Sequence, residues 1–298
     1  MSVARSRNRE GVWGWVFVSP WVFGFLAFTL GPMLVSLFLS FHIYDLHTLE
    51  PVGSENYRRL LFEDRIFWKS LRITLTYALV AVPIGVAGSL ALAVLLNQKI
   101  RGQRVFRTFF YMPSLVPAVA SALVWQWVFN TDNGALNQFL AWFGAPPIAW
   151  LQDEGWALPA FILMSLWGIG GGRMVIFLAG LQGIPDSYLE AATLDGATPW
   201  QRFRKITLPL LSPVMFFNVV MGLIGAFQVF TSAYIMTGGG PNDATRFYAL
   251  YLFQTAFEQF KLGKASALAW VLFLILVVIT AIQFAVSKRW VHYEGATK

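Results

Sequence analysis

The chain contains no cysteine, which excludes disulfide scaffolds, thiolate nucleophiles and Cys-bound zinc and leaves the redox compartment unreadable. Charge is also scarce: Asp, Glu, Lys and Arg make up 12% of 298 residues, about half the share of a soluble domain. Histidine occurs three times, at His42, His47 and His292, never in the His-Glu-x-x-His pattern of a zinc hydrolase. These three read as polar groups near an interface. With no nucleophile beside a base and no metal set, the sequence offers no catalytic residue and no metal ligand. The Gly runs at 168–172 and 238–240 are not followed by Lys-Ser or Lys-Thr, so neither is a phosphate loop. A nucleotide that drives this protein must bind to another chain.

Apolar residues are abundant instead. They make up 57% of the chain, aromatics 16%, and the mean hydropathy is +0.58, more apolar surface than a soluble core can absorb. A spanning helix needs ~20 mostly apolar residues to cross ~30 Å of hydrocarbon. Six stretches qualify, near 14–41, 73–97, 108–130, 156–181, 211–236 and 265–287. The fold class is therefore an all-α membrane protein with six transmembrane helices, and the fourth span is interrupted by Gly168, Gly170, Gly171 and Gly172. The first span follows Arg5, Arg7 and Arg9 but is longer than a signal-peptide core, so it reads as a retained anchor. The net charge of +7 is scattered between apolar runs rather than gathered on one face. That pattern predicts lipid and not nucleic acid as a partner.

Cytoplasmic flanks carry the excess of Lys and Arg. With the N-terminus inside, inner segments hold thirteen: Arg5, Arg7, Arg9, Lys99, Arg101, Arg104, Arg107, Arg202, Arg204, Lys205, Lys288, Arg289 and Lys298. Outer segments hold eight, five of them (Arg58, Arg59, Arg65, Lys69, Arg72) in one stretch where Tyr57, Leu60, Leu61, Phe67, Trp68 and Leu71 recur at helical spacing. A helix lying along the outer interface accounts for that stretch, and both termini are then cytoplasmic. Residues 1–70 form a tail, first helix and outer segment, 71–287 the membrane core, and 288–298 a cytoplasmic tail. None of the six stretches contains Asp or Glu, which leaves no carboxylate at membrane depth to couple a proton or sodium ion.

The loop after the fourth span has legible local grammar. Asp186 or Ser187 can cap a helix, Glu190 lies early in it where the dipole favours an anion, and Gly196 suits a left-handed end. Thr198-Pro199 begins a second short helix, expected to end where Pro209 turns the chain into the fifth span. Small Ala191 and Ala192 let another protein approach the backbone closely.

The spacing Glu-Ala-Ala-x3-Gly-x9-Ile-x-Leu-Pro, carried by Glu190, Ala191, Ala192, Gly196, Ile206, Leu208 and Pro209, resembles the EAA signature of permease subunits of ABC importers. Leu178-Ala-Gly-Leu-Gln-Gly-Ile-Pro185 and Thr237-Gly-Gly-Gly-Pro241 resemble the branch serving sugars and glycerol phosphate. The resemblance covers roughly 60–290, with its specific core at 176–241. It implies a type I importer permease fold in the cytoplasmic membrane, paired with a second homologous permease, two copies of an ABC ATPase and an extracytoplasmic solute-binding protein. No cofactor is implied in this chain, since ATP and Mg would be bound by the ATPases. The loop would be the coupling helix, with Glu190, Ala191, Ala192 and Gly196 as contacts and Asp195 and Arg202 as polar neighbours.

A carbohydrate needs amides and aromatic faces rather than buried charge. The resemblance and the chemistry together point to Phe227, Gln228, Phe230 and Tyr234 in the fifth span. Trp125, Gln126, Trp127 and Trp167 form a second set, for whose tryptophans packing is the simpler role. Arg173 stands out as an intramembrane charge. One reading has it snorkel toward headgroups or satisfy carbonyls, another places it in the translocation path. The expected function is a carbohydrate importer's permease, with a glycerol-3-phosphate or polyol importer as the alternative and a membrane scaffold or lipid-modifying enzyme as the reading from another class. Low charge in the spans favours a neutral solute.

Overall fold

In the computed structural model, residues 2–45, 47–98 and 101–292 are described, with the side chains of 2–12 left aside. Lys99 and Lys298, and the side chains of Arg5, Arg7 and Arg9, therefore fall outside what is described. Four helices are long and apolar enough to cross a membrane: Trp13–Ser40, Arg65–Leu96, Ser212–Met236 and Leu262–Ser287. Two bent pairs, Gln103–Leu115 with Ala118–Val128 and Glu154–Gly170 with Gly172–Gln182, bring the number to six. These are the six expected spans.

The bends have local causes. Val116 precedes Pro117 and is held extended (φ −73°, ψ 126°), because the proline ring disfavours a helical neighbour. The two halves of the third span consequently meet at 95°, which corrects the expectation of one continuous helix over 108–130. The fourth span breaks by 42° at Gly171, whose ψ of −150° leaves the helical region, as its glycines suggested. The fifth loses helical geometry after Phe227, with Gln228 at φ −103° and ψ 12°, and resumes at Thr231.

The chain divides into two compact units, residues 1–64 with 252–274, and 65–251 with 275–298. In the first, the helix ending at Ser40 leads into a two-stranded antiparallel ribbon, His42–Tyr44 against Leu49–Pro51, and then a helix, Glu55–Phe62. Buried Asn56 donates Nδ2 to the carbonyls of Ser40 and His42, fixing that exit. Lys264 reaches Asp64 at 2.7 Å. The outer stretch is thus not one interfacial helix. Its first part is the Glu55–Phe62 helix, while Arg65, Lys69 and Arg72 belong to the opening turns of Arg65–Leu96, because no helix breaker separates them from the apolar run that follows.

In the second unit, Arg65–Leu96 is the central helix, lying against Ser212–Phe227, Gly172–Gln182 and Glu154–Leu166. It brings a buried line of small and β-branched residues to them: Ala78, Ala81, Val82, Val86 and Ala93. Ser89 donates to the carbonyl of Ile169 at 2.7 Å, satisfying a backbone group freed where the fourth span unwinds.

Candidate functional site

Two places in the second unit carry functional features. The first is the loop between the fourth and fifth spans. A helix runs over Asp186–Leu194, with Pro185 at its N-cap (φ −60°, ψ 130°) and no side-chain cap. Neither Asp186 nor Ser187 is the cap, since proline's fixed φ already sets the extended entry and carries Asp186 into the first turn. The C-terminus follows the sequence expectation. Gly196 has φ +77°, Gly196 donates its N–H to the Thr193 carbonyl and Ala197 to that of Ala192, the two bonds of a Schellman motif.

Thr198 then caps the second helix, Pro199–Arg202, in a reciprocal box with Gln201: the Gln201 N–H donates to Thr198 Oγ1 at 3.3 Å and the Thr198 N–H to Gln201 Oε1 at 2.8 Å. This helix does not stop at Pro209. A π turn over Phe203–Thr207 and a helical turn over Leu208–Leu210 carry it to a break at Leu211. The wider turn accommodates a proline that lacks an N–H and would crowd the carbonyl four residues back. Arg202 Nη1 donates to Thr193 Oγ1 at 2.7 Å, bracing one arm of the elbow against the other.

Glu190 and Ala191 are exposed, Ala192 is half-buried, and Asp195 is the exposed C-cap residue. Sequence reasoning missed three apolar residues beside them. Leu194 is 89% exposed, Trp200 65% and Tyr188 48%, on an element that is otherwise polar and small. Behind the elbow lies a cavity of about 360 Å³, lined among others by Asn97, Gln98, Leu189, Arg202 and Phe203.

The second place lies among the spans. Phe227 is 1% exposed and part of the core. Gln228 and Tyr234 are exposed, and Tyr234 stacks on half-buried Phe230 with ring centroids 5.5 Å apart. Of the second set, Trp125 and Trp167 pack edge to face at 5.8 Å. Gln126 and Trp127, with Asn130, Gln152, Thr237 and Pro241, line a cavity of about 620 Å³, within the range of small-molecule sites. Asn137 donates to the carbonyls of Thr131 and Ile148 and accepts from Trp150 Nε1, tying together the segments that carry the lining residues Asn130, Leu151 and Gln152. A smaller cavity, about 210 Å³, is lined by Tyr77, Phe161 and Trp167 together with the hydroxyls of Ser121, Ser165 and Ser232. This mixture of aromatic faces and hydroxyls suits a sugar ring, and Tyr77, Ser165 and Ser232 carried no sequence pattern that marked them.

Arg173 enters the fourth span's second half just after the break. A methyl group on Gly85 would lie 2.6 Å from its Nη1, and one on Gly222 would lie 3.5 Å from its Nη2. Its guanidinium therefore sits in a notch between the second and fifth spans. Gly85 is eleven residues from Leu96 and Gly222 ten from Ser212, or ~15–17 Å along each helix, about half of a ~30 Å hydrocarbon layer. It makes no hydrogen bond or ion pair among the described residues.

A family model described as "Binding-protein-dependent transport system inner membrane component" matches residues 81–292. The probable ABC transporter permease protein YesP of Bacillus subtilis is 47% identical over 99% of this chain and 96% of its own length. The trehalose/maltose transport system permease protein MalF of Thermococcus litoralis is 31% identical over 96% of this chain and 97% of its own. Among solved structures, a bacterial ABC transporter involved in the import of the acidic polysaccharide alginate shares the fold, with a TM-score of 0.84 at 21% identity, over 97% of this chain and 99% of that one. With six apolar spans and a loop that carries every position of the permease signature, the chain belongs to the binding-protein-dependent inner membrane components, the multi-pass permease subunits of ABC importers, which transport and are not enzymes.

Proposed function

We propose that this permease carries a carbohydrate or related polyol across the cytoplasmic membrane, with both termini inside, and that the elbow at 186–209 takes up the motion of a separate ABC ATPase. The observation that carries the reading is the exposed set Tyr188, Leu194 and Trp200 around Glu190 and Ala191. Apolar side chains this exposed on a rigid, doubly capped element mark a protein-docking face. Two ATPase copies, which would hold ATP and Mg, would close beneath this chain and a homologous second permease. An extracytoplasmic binding protein would deliver solute from the other side.

Physically, a lever must not bend. The Schellman turn, the capping box and the Arg202 bond to Thr193 keep the arms in one geometry, and the continuous backbone through Pro209 passes their displacement to the fifth span. ATP can bias the permease between outward- and inward-open states by no more than the ATPases' difference in affinity for the two. For the solute path, the proposal takes Gln228, Phe230 and Tyr234 with Arg173, and adds the aromatic and hydroxyl-lined cavity at Tyr77, Trp167 and Ser232. Trehalose and maltose, named for the Thermococcus relative, favour the carbohydrate class.

The test is ATP-dependent uptake by proteoliposomes holding the chain, its partner permease, the ATPase and the binding protein. Accumulation of labelled sugar that stops with Leu194→Asp supports the reading. Accumulation without ATP, or unaffected by that substitution, overturns it.

A further inference from the structure

The fully apolar spans contain one charge without a counter-charge. None of the six sequence stretches carries Asp or Glu, and Arg173 makes no hydrogen bond or ion pair among the described residues, although a guanidinium offers five N–H donors. An unpaired cation at this depth is costly. A side chain of this length and flexibility would escape toward the nearest aqueous boundary if nothing held it. Here two spans make room for it instead, through Gly85 and Gly222, where a β-carbon at the first position would collide with Nη1. The residue is half-buried rather than sealed. Trp167 and Gly168, which line the cavity of Tyr77, Ser165 and Ser232, stand within six residues of Arg173 across the break at Gly171.

Resting on the transport reading above, we infer that the solute carries an anionic group, a sugar carboxylate or a phosphate ester, which pairs with Arg173 halfway across the membrane while its hydroxyls meet the cavity of Tyr77, Ser165 and Ser232. The pairing explains why a cation is kept where the sequence otherwise removes charge. A planar fork matches either oxyanion bidentately, and it offsets charge on the solute where the spans supply no other cation. This departs from the neutral solute that the low charge of the spans favours, and the geometry around Arg173 is the reason.

The experiment is uptake by the complete reconstituted importer, with three labelled probe classes in parallel: disaccharides bearing a uronate carboxylate, glycerol phosphate, and neutral disaccharides such as maltose. The expected result is ATP-dependent accumulation of one anionic class, lowered at least about tenfold by Arg173→Met and partly retained by Arg173→Lys. Co-purification of the ATPase with each variant verifies a folded complex. Response to the uronate but not the phosphate, or the reverse, identifies which oxyanion is carried. Uptake of the neutral disaccharides alone, or anionic uptake by Arg173→Met equal to the unmodified chain, overturns the inference and leaves the transport reading standing. Lack of ATP-dependent uptake of every probe overturns both.

Discussion

Arg202 holds Thr193 through a 2.7 Å hydrogen bond from Nη1 to Oγ1, and this one contact joins the two helices of the elbow across the turn at Gly196. The same threonine hydroxyl donates to the Leu189 carbonyl at 2.6 Å, so the bond reaches back into the first helix. The elbow is stiff because the Schellman turn and the capping box fix the bend from its two sides and a side-chain strut ties the helices across it.

Loss of that strut should uncouple rather than inactivate. A hydrogen bond to a charged group contributes about 1.5–3 kcal/mol when shielded, and this one is partly solvated, so about 1 kcal/mol is expected, roughly a fivefold shift in population. Thr193→Val should leave ATPase binding in place while lowering solute moved per ATP hydrolysed by about that factor. The ratio of uptake to phosphate release in proteoliposomes checks it, and an unchanged ratio would show the strut to be idle.

Gly196 is constrained by its dihedral angle and not by space. A β-carbon there meets nothing within 4 Å, yet φ is +77°, a region costing other L-residues about 1–2 kcal/mol. Gly196→Val should therefore lower uptake about tenfold, and Gly196→Asn, which tolerates the left-handed region, should keep most of it. Equal activity of the two variants would contradict the assignment.

Leu194 and Trp200 behave as docking anchors in this account. Truncation of such an anchor costs about 2 kcal/mol or more, close to thirtyfold in affinity. Leu194→Ala and Trp200→Ala should weaken ATPase binding by that order in a pull-down titration. Helical content, read by circular dichroism, should stay the same, since neither side chain is buried.

The pH dependence of the outer helix follows from Glu55. Hydrogen bonds from Arg58, then Arg59, lower its carboxyl from 4.5 to about 2, and Glu55 in turn raises the Arg58 guanidinium. A carboxyl depressed in the folded state contributes stability that is present in full above its unfolded value and lost as pH falls through the folded one. Melting temperature should thus be insensitive to this group from pH 7 to about 5 and fall between about pH 4.5 and 2. Glu55→Gln should remove that part of the acid dependence. The contribution is small because the group is solvent-exposed. An unaltered acid limb in the variant would refute it.

Much of the site could be read before the fold. Thr198, Pro199 and Gly196 act through neighbours within a few residues, so their roles are written in local spacing, whereas the reciprocal bond from Gln201 was not foreseen. Spans were legible for the same reason, from the length of uncharged runs. Features that depend on distant segments were not. The 95° bend at Val116-Pro117 lies in a run whose hydropathy is unbroken, and the π turns leave no mark in composition. Phe227 and Phe230 share one aromatic stripe in sequence, yet only packing by the central helix and its neighbours buries the first completely. Arg173 was visible as an oddity, but its notch needs Gly85 and Gly222 from two other spans, 88 and 49 positions away. Leu194 and Trp200 look like ordinary apolar residues until their exposure is known.

The central claim is that the elbow lies beneath the bilayer against an ATPase, and the absence of native cysteine makes it directly measurable. Leu194→Cys introduces a single thiol, to be labelled with a membrane-impermeant maleimide in inverted and right-side-out vesicles, with and without bound ATPase. The expected result is labelling in inverted vesicles alone, and protection when the ATPase is present. Labelling from the exterior, or equal labelling with and without the ATPase, would contradict it.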